Sequence, residues 1–86
     1  MIVKTHLAEI QEELARDFDN ISLKGQGCSS FLYVTHNGRG VEISEDKGAY
    51  WLEFWEKSDD EDAGPVKEIT VNGGDRAISE TRRWLV

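Results

Sequence analysis

The sequence predicts an α+β two-layer sandwich, a four-stranded antiparallel meander with N- and C-terminal helices packed on one face, in the order α-β-β-β-β-α. Three observations carry this. An amphipathic stripe of helical period opens the chain, segments alternating with a period of two follow, and a second helical stripe closes it. Strands joined by short connections pair with their sequence neighbours, and a sheet with one apolar face needs one layer of helices to cover it. At 86 residues the chain makes one domain, 1–86, with a single core.

The first helix is read from VKTHLAEIQEELARDF, where Val3, Leu7, Ile10, Leu14 and Phe18 fall on one stripe with charged residues opposite. The stripe spans only about two heptads, short of a coiled-coil seam. NISLKGQG is read as a polar connector. SSFLYVTH then alternates with aromatic and β-branched residues, as a pleated strand does. Asn37-Gly38 marks a hairpin, since both residues tolerate the positive φ of a type I′ turn. GVEIS is the second strand, EDKG the next turn and AYWLEFWEK the third strand. SDDEDAG reads as an exposed loop of like charges, and Pro65 stands just before a fourth strand, VKEITV, where a missing N–H is tolerated. Asp75 is placed to cap a final helix, RAISETRRWLV, with Ala77, Ile78, Thr81, Trp84 and Leu85 on one side. Arg82 and Arg83 near its end suit the helix dipole.

Composition narrows the function classes. Hydrophobic residues make up 38% and charged residues 31%, the balance of a folded chain rather than a disordered one. The net charge of −7 argues against nucleic acid as a partner, because phosphate binding needs a Lys/Arg surface to displace counterions. No run approaches the roughly 20 apolar residues that span a bilayer. The single cysteine, Cys28, has no internal disulfide partner, and no basic-then-apolar leader opens the sequence, so the cytoplasm is the expected compartment.

Candidate chemistry fares poorly. Asp59, Asp60, Glu61 and Asp62 are hard oxygen ligands, but a calcium loop started at Asp59 puts Thr70 where the final carboxylate belongs, and one started at Asp60 puts Val71 there. GQGCSS resembles the start of a phosphate loop, yet it precedes a strand instead of opening a helix and lacks the third glycine. Cys28, His6 and His36 offer neither the paired spacing of a zinc site nor a nucleophile with base and orienting acid in sequence reach. The expectation is a protein that is not an enzyme, with no catalytic, metal or cofactor-binding residues.

What remains is the sheet. Strand alternation sends Tyr50, Leu52 and Phe54 to the helix side, with Val41, Ile43, Ile69, Val71, Leu32 and Val34. The opposite face receives Trp51, Glu53, Trp55 and Lys57, joined by Phe31 and Tyr33. Rings mixed with charges suit protein recognition, so Phe31, Tyr33, Trp51, Glu53 and Trp55 are the candidate binding residues, for a partner protein or a second copy. The plainer reading is that the rings cover an open sheet or stack on the Lys57 or Arg39 stems. In size, acidity and α+β layout the chain also resembles some bacterial immunity proteins. That resemblance covers the whole chain and implies an acidic surface blocking a basic toxin or enzyme. A ligand-binding or enzymatic domain with a pocket between helix 1 and the sheet is the competing class.

Overall fold

The computed structural model describes residues 6–25, 30–46, 48–56 and 64–86. It is an α+β fold with two helices and one antiparallel sheet. The elements are α1 (His6–Leu14), β1 (Asn20–Lys24), β2 (Phe31–His36), β3 (Arg39–Asp46), β4 (Ala49–Trp55), β5 (Lys67–Asn72) and α2 (Gly74–Leu85). The sheet has five strands, not four, in the order β1-β2-β3-β4-β5.

The additional strand is β1, cut from the segment read as a connector. Its register sets Ile21 opposite Val34 and Leu23 opposite Leu32, so both apolar side chains share the helix-side face. As an edge strand it is paired on one side only, and Leu23 remains 40% exposed. Its sequence, NISLK, does alternate polar and apolar residues, but with only two apolar side chains between polar and glycine-containing flanks the strand signal is brief.

α1 buries Leu7, Ile10 and Leu14, as its stripe requires. The regular helix stops at Leu14 rather than continuing to Phe18. There the backbone tightens, with the Asp17 and Phe18 N–H groups both donating to the Leu14 carbonyl at 3.0 and 2.9 Å. The turn still delivers Phe18 to the core, where its ring meets His36 edge-on at 5.2 Å. Val3 lies outside the described residues.

The hairpin turn is built as expected, with φ of 54° at Asn37 and 80° at Gly38. Gly48, also at positive φ, serves the next turn, and Asp46 pairs with Ala49 across it. α2 begins two residues earlier than Asp75 would set it. Gly73 occupies the N-cap with φ 91° and no side-chain cap, and Asp75 lies inside the first turn, where its charge still favours the helix dipole.

Both helices pack on the same sheet face and against each other. Between them and the sheet, Leu32, Val34, Val41, Ile43, Leu52 and Phe54 are fully buried alongside Ala77, Thr81 and Leu85 of α2. Each large aliphatic chain so enclosed contributes roughly 1.5–3 kcal/mol. Thr81 satisfies its buried hydroxyl by donating to the Ala77 carbonyl at 2.7 Å.

Trp84 fixes the C-terminal end of α2. Its ring meets Phe54 edge-on at 5.4 Å, and its indole N–H donates to the Trp55 carbonyl at 3.1 Å. Arg39 lies over the same ring at 5.0 Å and donates to the Trp84 carbonyl at 3.0 Å, satisfying one of the open carbonyls at the helix end. Arg82, expected only to complement the dipole, also ties α2 to α1 through Asp17 at 2.8 Å and Glu13 at 3.4 Å. These groups are substantially solvated, so the tie is worth about 1 kcal/mol at most.

Candidate functional site

No helix among the described residues is long and apolar enough to cross a membrane, and no group of metal-ligating side chains gathers among them. The carboxylates tested for a calcium loop, Asp59, Asp60, Glu61 and Asp62, lie outside the described residues, as do Lys57 and Cys28. A cleft does open between the helices and the end of β4, lined by Ile10, Tyr50, Gly73, Gly74, Ile78 and Arg82. Arg82 is already committed to Asp17 and Glu13.

The sheet face away from the helices is different. Register sorts its side chains into rows running across the strands. The first row is Lys24, Phe31, Ser44, Trp51 and Thr70. The second is Ser22, Tyr33, Glu42, Glu53 and Glu68. The third holds Asn20, Thr35, Gly40 and Trp55. All five sequence-predicted residues, Phe31, Tyr33, Trp51, Glu53 and Trp55, therefore share this face.

They are not equally available. Trp51 is 45% exposed, while Phe31, Tyr33, Glu53 and Trp55 are half-buried. Tyr33 leans towards Gly40, where an added Cβ would stand 3.1 Å from its hydroxyl oxygen, and Lys24 covers the other side at 5.8 Å from the ring centre. The indole N–H of Trp55 is enclosed with no acceptor among the described residues. Arg39, expected as a stem for these rings, instead stacks on Trp84 at the helix side.

Along β3 this face carries only Gly40, Glu42 and Ser44. The flanking strands carry rings, Phe31 and Tyr33 on β2 and Trp51 and Trp55 on β4. The result is a shallow trough along β3, closed at its Gly40 end by Tyr33.

The second row was not anticipated as a unit. Glu42, Glu53 and Glu68 stand directly opposite one another on three adjacent strands, and none of the three forms an ion pair among the described residues. Facing like charges destabilise a sheet, by roughly 0.2–1 kcal/mol per pair. Burial holds the Glu53 carboxyl above its ordinary value of 4.5, reinforced by the Glu42 and Glu68 charges and a hydrogen bond shared with Glu42.

A raised folded-state value means the native form holds its proton longer than the unfolded chain. That contribution to stability is full below the ordinary carboxylate range and is lost as pH rises from there through the raised value. Glu53→Gln is therefore expected to flatten that decline and to stabilise the domain at neutral pH by about 0.5–1 kcal/mol, as read from urea midpoints across a pH series.

Compared with models of known families, with curated proteins and with solved structures, the chain finds no match, so the meaning of this face rests on its own residues.

Proposed function

We propose that this domain is a protein-binding module and that the open sheet face is its contact surface. One observation supports the reading above the others. The helices take only one face of the sheet, and the face they leave carries a 45%-exposed tryptophan at the wall of an aromatic trough. Tryptophan and tyrosine bring large apolar area with a polar tip, the combination enriched where partner proteins anchor. No catalytic role is assigned to any residue.

The test uses the intact chain and Trp51→Ala as baits in an extract of the source cell, with circular dichroism confirming that both are folded. The expected result is a defined protein retained by the parent and lost by the variant, with the bait alone remaining monomeric by sedimentation. Identical retention by both baits would contradict the reading.

A further inference from the structure

We infer that the trough along β3 receives an arginine side chain of a basic partner protein, the guanidinium lying between Phe31 and Trp51 and facing Glu42 and Glu53. This deepens the contact-surface reading and rests on it.

Geometry is the first support. Phe31 and Trp51 both stand across from Ser44, one on each side, so their strands lie roughly 10 Å apart. Register places only the small Ser44 side chain between the two rings, a spacing that suits a flat group. A guanidinium is planar, stacks on aromatic faces, and forks its N–H donors onto carboxylates, which sit one row along at Glu42 and Glu53. A lysine ammonium supplies charge without the plane or the fork.

Charge distribution is the second. Arg39 and Lys67 lie against helix-side rings, Arg82 pairs with α1, and Arg76 and Arg83 belong to α2. On the open face the described cations reduce to Lys24, at the edge strand, whose ammonium lies over Tyr33. No described cation stands within the carboxylate row, and an arriving one removes the like-charge cost between its members. The same row argues against a second copy as occupant, because a two-fold contact through this face would set Glu42, Glu53 and Glu68 against their own counterparts.

An acetylated hexa-arginine peptide, titrated into the full chain and followed by two-dimensional NMR of backbone amides and indole N–H groups, tests the inference. The expected first responders are Glu42, Ser44 and the Trp51 indole, with affinity falling as salt is added. A Glu42→Gln, Glu53→Gln, Glu68→Gln triple variant should bind at least about tenfold more weakly. Relief of like-charge contacts makes that variant more stable, so its weaker binding would not reflect unfolding. Hexalysine of the same formal charge should bind less tightly than hexa-arginine.

Equal binding to the triple variant, parity between the two peptides, or shifts confined to Glu13 and Asp17 would overturn the arginine assignment. So would concentration-dependent shifts on this face without peptide, which would make a second copy the occupant and leave the contact-surface reading standing. That reading falls separately, through a Trp51→Ala bait that retains every partner of the parent.

Discussion

Trp84→Ala is expected to cost about 3 kcal/mol of unfolding free energy, measured by urea denaturation with the slope unchanged. A domain of this size holds roughly 5–10 kcal/mol in all, so the loss is a large share of its stability. Three contacts are removed together and a cavity is left. The ring loses its edge-on packing with Phe54, the indole N–H no longer reaches the Trp55 carbonyl, Arg39 loses the ring beneath it, and a partly enclosed volume opens beside the core. Arg39 also binds the Trp84 backbone carbonyl, a contact the substitution spares, and so the end of α2 should loosen without detaching. A Trp84→Phe variant keeps the packing but not the donor and should lose about 1 kcal/mol.

Tyr50 should ionise about two pH units above an ordinary tyrosine. Its ring belongs to the core at 3% exposure, and its hydroxyl bonds to Glu45, its cross-strand partner. Burial pushes the phenol up to about 12, helped by the hydrogen bond and charge of Glu45 and by Glu9 from α1. The native state therefore retains a proton that the unfolded chain gives up near pH 10. The resulting stabilisation is complete below pH 10 and disappears as pH climbs through the folded value near 12. In a Tyr33→Phe background only this phenol remains, and its ionisation, followed by ultraviolet absorbance, should occur near pH 12 together with unfolding. Ionisation near pH 10 with the fold intact would show a hydroxyl open to water.

Sequence pattern revealed most of this architecture where local chemistry and tertiary packing agree. The Leu7, Ile10, Leu14 stripe, the Asn37-Gly38 turn and the inward set of β4 all stand where periodicity and turn chemistry place them. β1 escaped because an edge strand is specified by its partner, and Ile21, partly buried, is its one apolar residue packed against the core. Asp75 looked like a cap by residue type, but Gly73 reaches φ 91°, which lets the helix begin at Gly74.

The candidate face was partly legible. Alternation was enough to put Phe31, Tyr33, Trp51, Glu53 and Trp55 together, yet the carboxylate row depends on register. Two-residue connections at both central hairpins fix Tyr33 opposite Glu42 and Glu42 opposite Glu53, so that part was within reach of turn counting. Glu68 was not, because a long connection separates β4 from β5 and no turn rule sets their pairing. Nor does alternation show which rings lie down on the sheet. Tyr33 does so because Gly40 leaves room for it.

The unfolding free energy of Trp51→Ala, compared with that of Trp84→Ala in the same assay, tests most directly whether this sheet keeps one face for its own core and the other for contact. Trp51 should cost less than about 1 kcal/mol, since nearly half of its surface already meets water. A loss as large as that of Trp84→Ala would mean that the ring supports the fold, and the contact surface would have to be abandoned.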